Sequence, residues 1–235
     1  MKTALITGAT GGIGRLLVEA LVGRDYRVIG VARNEERLKE LQSLGNFDYI
    51  VADLRGRNVP KVIRSELRNL GVERLDVLIN NAGFGILKPL VEQSEEELEE
   101  IFRVNTIAPV ALTRELLDLI PLGGKVVMVL SGVVFVNVRD LPSYGASKAA
   151  LHYLSVNLEH ELEKKGITLI RVYPKQVSTP FWNDRVPQGA LHPKDVVSAI
   201  ITAIEKNKRE VFIPSYLKLV KYLPRWPVFN YRFKF

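Results

Sequence analysis

The 235-residue chain contains no cysteine, which excludes a disulfide scaffold, a thiolate zinc site and thiol catalysis together. Histidine is nearly as scarce. His152, His160 and His192 lie too far apart in sequence to frame a metal site, so none is expected. No apolar run reaches membrane-spanning length. The first, Thr3–Thr7, ends at Gly8 and is too short for a signal-peptide core, so a cytoplasmic protein is expected. The last 19 positions hold five basic residues and no acidic one. The net charge of +7 therefore leaves +2 on the other 216 residues, too little for a nucleic-acid footprint.

What is present is a globular composition, 47% hydrophobic and 25% charged, which excludes disorder. Short apolar runs at Thr3–Thr7, Arg27–Ala32, Phe47–Val51, Val77–Asn80, Lys125–Leu130, Thr168–Val172 and Glu210–Ile213 read as strands. Amphipathic stretches separate them, at Gly12–Val22, Glu35–Leu44, Val59–Leu70, Glu95–Ile120 (with a break near Asn105), Ser143–Lys165 and Pro193–Lys206. Several strands are unbroken Val/Ile/Leu runs, as when helices cover both sheet faces. The alternation predicts an α/β fold: one doubly wound, Rossmann-type parallel sheet of about seven strands with helices on both faces. Residues 1–216 form the domain, and 217–235 are an aromatic and basic extension.

Ligands of such sheets bind beyond the carboxyl ends of the strands. The first strand runs into Thr7-Gly8-Ala9-Thr10-Gly11-Gly12-Ile13-Gly14 and then a helix. Glycines let the backbone approach a pyrophosphate, and the helix start offers unpaired N–H groups. With no lysine after the last glycine this is not an NTPase loop, so a dinucleotide is favoured over packing alone. Where an NAD-binding fold places an acid at the second strand end, this chain has Ala32-Arg33-Asn34. A guanidinium there suits a 2′-phosphate, which ranks NADP(H) ahead of NAD(H), although Glu35 and Glu36 are close enough in sequence to pair with Arg33 instead. Asp53-Leu54 ends the third strand, where the carboxylate could meet an adenine amino group. Asn80-Asn81-Ala82-Gly83 ends the fourth, with Asn81 read as more architectural than chemical.

Tyr144 and Lys148 share a helix face at a spacing of four. An ammonium beside a phenol favours the phenolate and brings the tyrosine toward proton exchange. Ser131 closes the fifth strand and could orient a carbonyl oxygen. Asn105 sits in mid-helix, where a break would free its side chain or carbonyl to hold water. Each also has an ordinary structural explanation, as a packing pair, a cap or a turn.

Together these motifs resemble the short-chain dehydrogenase/reductase family over roughly residues 2–213. The match comprises a TGxxxGxG turn at Thr7, Gly8, Gly12 and Gly14, Asp53-Leu54, NNAG at Asn80–Gly83, Asn105, Ser131, and YxxxK at Tyr144 and Lys148. The resemblance implies Tyr144 as acid/base, Lys148 on the nicotinamide ribose and tuning Tyr144, Ser131 positioning substrate, and Asn105 supporting a proton relay. It also implies Thr7, Thr10, Ile13, Ala82 and Gly83 in the cofactor site, and a homo-oligomer. One departure stands out. The usual Pro-Gly before Val-x-Thr is Pro174-Lys175 here, with Val177 and Thr179 still available to the carboxamide.

The expected function is reversible reduction of a ketone or aldehyde with NADP(H) as hydride donor. Phe84, Val133, Val134, Phe181 and Trp182 lie near the reactive strand ends and suggest an apolar substrate. The alternatives are an acyl or lipid-ketone reductase working at a membrane surface and a non-catalytic NADP-binding regulator. The extension Leu217–Phe235 carries six of the chain's 19 aromatic residues. It either packs on the body or a second subunit, the favoured reading, or makes peripheral membrane contact.

Overall fold

The computed structural model describes residues 1–182, 185–221 and 230–234. In chain order the elements are β1 (Lys2–Thr7), α1 (Gly12–Val22), β2 (Tyr26–Ala32), α2 (Glu35–Leu41), β3 (Phe47–Val51), α3 (Val59–Asn69), β4 (Val77–Asn80), α4 (Glu95–Phe102) and α5 (Ala108–Glu115). They continue with β5 (Lys125–Val129), β6 (Asn137–Val138), α6 (Pro142–Glu163), β7 (Thr168–Pro174), α7 (Pro193–Glu205), β8 (Glu210–Ile213), α8 (Leu217–Val220) and β9 (Asn230–Tyr231). Seven strands form one parallel sheet in the order β3-β2-β1-β4-β5-β7-β8, as the sequence predicts. The order reverses between β1 and β4, which opens a crevice at their carboxyl ends.

The period-two rule sorts each strand onto two cores. Ala4, Ile6, Val77, Ile79, Val127 and Val129 face α1, α2 and α7 through Leu17, Leu38 and Ile200. Leu5, Ile29, Leu78, Val126 and Met128 face α3, α5 and α6 through Ile63, Leu112 and Leu151. A fully buried side chain of this kind stabilises the fold by roughly 1.5–3 kcal/mol. A one-residue slip in any strand would exchange the two sets, so register is firmly set.

The predicted helix Glu95–Ile120 is indeed interrupted. A capping box starts α4, with Ser94 accepting from the Glu97 N–H and Glu97 accepting from the Ser94 N–H. A π-turn over Arg103–Ile107 then separates α4 from α5. Pro109 lacks an N–H, so the Asn105 carbonyl has no ordinary helical donor four residues on. The sequence reading missed other details. The helix expected over Glu35–Leu44 gives way to a 3₁₀ turn at Gln42–Leu44. The two-residue strands β6 and β9, paired in parallel, are too short to show any period.

The C-terminal segment is continuous with the body where it is described. The Phe233 N–H donates to the Asp140 carboxylate at 2.9 Å, and the Gln188 N–H donates to the Lys234 carbonyl at 2.7 Å. This favours the packing alternative for the tail. Pro224 and Pro227, which as prolines are expected to prevent a continuous helix in the tail, lie outside the described residues.

Candidate active site

A cavity of about 960 Å³ runs along the carboxyl ends of the strands, from Arg33 at one end to Phe233 at the other. At its centre the turn after β1 has Gly8 at φ +68°, a left-handed conformation that glycine adopts without strain. A Cβ on Gly14 would lie 2.0 Å from the Gly8 carbonyl oxygen, so the helix can approach the turn only without a side chain there. No side chain caps α1, and the N–H groups at its start face the cavity through Gly12, Ile13 and Gly14. The Asn81 amide donates to the Thr7 and Gly8 carbonyls at 3.0 and 3.4 Å. Thr7 Oγ1 accepts from the Asn81 and Ala82 N–H groups, both at 3.1 Å. Thr7 and the Asn81 side chain therefore tie β1 to β4 from behind, while Gly8, Thr10, Asn81, Ala82 and Gly83 line the cavity itself. These surroundings fit a dinucleotide pyrophosphate: uncapped donors, a tight glycine floor and no acidic side chain at the turn.

At the far end, Arg33, just before the Asn34 cap of α2, and Arg37, in its first turn, line the cavity, and neither has an ion-pair partner among the described residues. Glu35 pairs with Lys39 at 2.9 Å and not with Arg33. The Asn34 side chain caps α2 by accepting from the Arg37 N–H at 2.9 Å. Asp53 and Leu54 also line this end, but the carboxylate is already held by Arg55 at 2.6 Å. The Arg55 hydrogen bonds hold Asp53 below the usual carboxylate range against the opposing effect of burial. Arg37 and Arg55 were not singled out from sequence. The one available signal, Arg37 four residues after Arg33, reads equally as a solvated helix face.

The reactive end brings Ser131, Tyr144 and Lys148 together, and Pro174, Val177 and Thr179 line the same end, with Ser131 Oγ donating to the Pro174 carbonyl at 3.5 Å. Ser131 Oγ accepts from the Val133 N–H at 3.3 Å. Lys148 is 3% exposed, and its ammonium donates to the Val129 carbonyl at 2.8 Å. It stands 5.9 Å from the Tyr144 ring centroid. A Cβ on Gly83 would crowd both Lys148 Nζ, at 3.3 Å, and Asn105 Oδ1, at 3.1 Å. The electrostatics correct one expectation. Burial pushes the Tyr144 phenol up to about 12, opposed by a hydrogen bond with Ser131, and no effect of Lys148 on Tyr144 is resolved. Burial likewise lowers Lys148 to about 8. Desolvation outweighs the ammonium–phenol attraction at this separation, so at neutral pH the phenol carries its proton.

Asn105 is fully buried and does not line the cavity. Its Oδ1 accepts from the Phe84 N–H at 3.1 Å, and its Nδ2 donates to the Phe84 carbonyl at 2.8 Å and to Ser147 Oγ at 3.1 Å. Ser147 in turn donates to the Tyr144 carbonyl at 2.8 Å. The amide thus clamps the chain after β4 to the second turn of α6, and only the backbone carbonyl of Asn105 is left for other work. Ser147 was missed because a serine inside a helix gives no signal by itself.

Beyond Tyr144 the cavity becomes apolar. Phe84, Val133, Phe181 and Trp182 line it as expected, joined by Leu217 and Phe233. Val134 faces the core instead. Lys175, standing where a glycine is usual, keeps its N–H on the Ile213 carbonyl at 2.8 Å and also borders the cavity. No group of three potential metal ligands occurs among the described residues, and no described helix is long and apolar enough to cross a membrane.

A doubly wound sheet with a glycine phosphate turn and a Ser–Tyr–Lys wall defines a nucleotide-dependent oxidoreductase. The chain belongs to the short chain dehydrogenase family, whose model matches residues 2–189. It is 30% identical to a tropinone reductase homolog of Arabidopsis thaliana over 218 residues, covering 85% of this chain and 81% of that one. Among solved structures, a short-chain dehydrogenase from Sphingobium yanoikuyae in complex with NADPH superposes with a TM-score of 0.83 at 27% identity, over 92% of this chain and 89% of that one. An alcohol dehydrogenase from the archaeon Thermococcus sibiricus complexed with 5-hydroxy-NADP gives 0.81 at 26%, over 90% and 95%.

Proposed function

We propose that this short-chain dehydrogenase is an NADP(H)-dependent carbonyl reductase, working reversibly on apolar ketones or aldehydes and the corresponding alcohols. The observation that carries it is the placement of Ser131, Tyr144 and the buried Lys148 on one cavity, between its glycine-turn half and its apolar half. The uncapped start of α1 would hold the pyrophosphate, Arg33 and Arg37 the 2′-phosphate, and Lys148 the ribose next to the nicotinamide. When bound, the reduced nicotinamide supplies the hydride received by the carbonyl carbon. Tyr144 gives its phenolic proton to the carbonyl oxygen, which Ser131 Oγ holds by a hydrogen bond. The Lys148 ammonium stabilises the phenolate left behind. With its side chain committed to Phe84 and Ser147, Asn105 contributes through its backbone carbonyl, which can hold a water that returns the proton.

The NADP-containing structures of the Sphingobium and Thermococcus enzymes support the cofactor half of this reading, and Arg33, in no ion pair among the described residues, supports the preference. The deciding experiment follows cofactor oxidation with NADPH and NADH across matched ketones and aldehydes. Faster turnover with NADPH is expected. Oxidation of neither cofactor by any carbonyl compound would overturn the assignment.

A further inference from the structure

The cavity wall farthest from the nucleotide end is closed by the chain's own C-terminal segment. Two hydrophobic cores lie on the sheet faces; a third, smaller cluster sits above the strand ends around Val138, Leu141 and Trp182, with Tyr144, Phe181 and Phe233 packed against it. Phe233 meets Trp182 edge-on at 4.7 Å, Trp182 meets Phe181 at 5.0 Å, and Phe181 meets Tyr144 at 5.2 Å. A continuous file of rings therefore runs from the C-terminal segment to the proton donor, and all four line the cavity. The file is held in place by polar anchors. Trp182 Nε1 donates to the Val177 carbonyl at 2.9 Å. The strap is secured by the β6–β9 pairing, by Asp140 accepting from the Phe233 N–H, and by Lys234 accepting from Gln188. These anchors reach both the segment that leads into α6 and the loop after β7, so the Phe233 segment is tied to both of the cavity walls that Phe181 and Tyr144 already join.

We propose that Phe233 is a specificity-determining residue, completing an aromatic wall that selects ketones bearing a flat aromatic or alicyclic group over small aliphatic ones. The inference rests on the carbonyl-reductase reading for its reaction but not for its binding surface. Rings prefer edge-to-face or offset contact with other rings, and a file of four presents such faces along one side of the cavity. A small aliphatic ketone held at Ser131 and Tyr144 has no substituent to lay along the file, whereas a flat ring attached to the carbonyl can extend along it.

The test compares acetophenone with butanone, which share the methyl ketone and differ in the second substituent. Kinetics with NADPH are measured for the wild type, Phe233→Leu, Phe233→Ala and Phe233→Tyr. Acetophenone binding is followed separately by quenching of tryptophan fluorescence. The ratio of kcat/KM for acetophenone to that for butanone is expected to fall about tenfold in Phe233→Ala, mostly through the acetophenone KM, and to return in Phe233→Tyr. Phe233→Leu keeps the bulk and loses the ring, so a fall there separates ring recognition from loss of packing. An unchanged ratio in both Leu and Ala variants, or equal losses for the two ketones, would overturn the proposal. If the wild type reduces neither ketone, weaker acetophenone binding by Phe233→Ala still supports the wall while the reaction assignment fails. Unaltered binding in that case rejects the wall as well.

Discussion

The nucleotide half of the cavity and the substrate half are made of different material. The first is largely backbone: the Gly8–Gly14 turn, the uncapped start of α1 and the chain at Ala82-Gly83, locked from behind by Thr7 and Asn81. The second is side chain, with rings drawn from α6, the loop after β7 and the C-terminal segment. A backbone surface recognises what is common to every dinucleotide and tolerates almost no added atom. A wall of side chains can change residue by residue without disturbing the sheet below it. The division predicts that mutations in the first half damage the fold and those in the second alter selectivity.

The largest effect is expected where the halves meet. Tyr144→Phe should lower carbonyl reduction by about 10²–10⁴-fold while NADPH affinity, read by fluorescence titration, stays close to wild type. Substantial turnover by the folded variant would remove Tyr144 as the proton donor. Next comes the backbone half. Gly14→Ala forces a Cβ against the Gly8 carbonyl and should destabilise by about 1–3 kcal/mol or more, with a lower melting temperature and weaker NADPH binding. Phe181→Ala, in the other half, should shift substrate KM more than stability. If the two variants lose equal stability, the contrast between backbone and side-chain halves fails.

Arg33→Ala should weaken NADPH binding by about 1–3 kcal/mol and NADH binding far less, with Arg37→Ala giving a smaller loss of the same kind. Calorimetric titration of both cofactors checks this, and equal losses would place Arg33 away from the 2′-phosphate. The smallest effect concerns pH. The Lys148 pKa is depressed, from the ordinary 10.5 to about 8, so the unfolded chain holds the extra proton between those values. Its contribution to stability is therefore present above the ordinary value and is lost as pH falls through about 8. Urea titrations from pH 8 to 10 should show the wild type gaining on the order of 1 kcal/mol relative to Lys148→Met. A constant difference would mean that Lys148 is not buried as a cation.

Those same two residues show how far the sequence could be read. The spacing of Tyr144 and Lys148 places them on one helix face, but the balance between burial and charge attraction depends on what covers the face. Local spacing does not contain that information. The helix break at Asn105 was legible because asparagine is a poor mid-helix residue, with Pro109 just beyond it. What the break does was not, since Phe84 and Ser147, the partners of its amide, lie 21 and 42 residues away. The strands were legible nearly to the residue because a short unbroken apolar run, buried on both faces, is a local pattern. Asp53 was read toward adenine, and only the folded chain reveals Arg55 already in contact with it. The aromatic density of the tail pointed to burial, yet nothing in its order names Trp182 as the ring that Phe233 meets.

The π-turn over Arg103–Ile107 has a consequence for length variants of this chain. It works as a one-residue insertion in an otherwise regular helix, and each residue of an α-helix advances about 100° around the axis. Removing one residue there, such as Thr106, would let α4 and α5 fuse into a regular helix with its two halves in nearly their present orientation, because the wide turn already absorbs the roughly 100° that the extra residue adds, and the residues of the turn itself would be re-aimed. The amide that clasps Phe84 and Ser147 would then point elsewhere, and Thr106 would no longer donate to the Ser147 carbonyl at 2.8 Å. Among length variants, the one with the more regular helix would be the less active one.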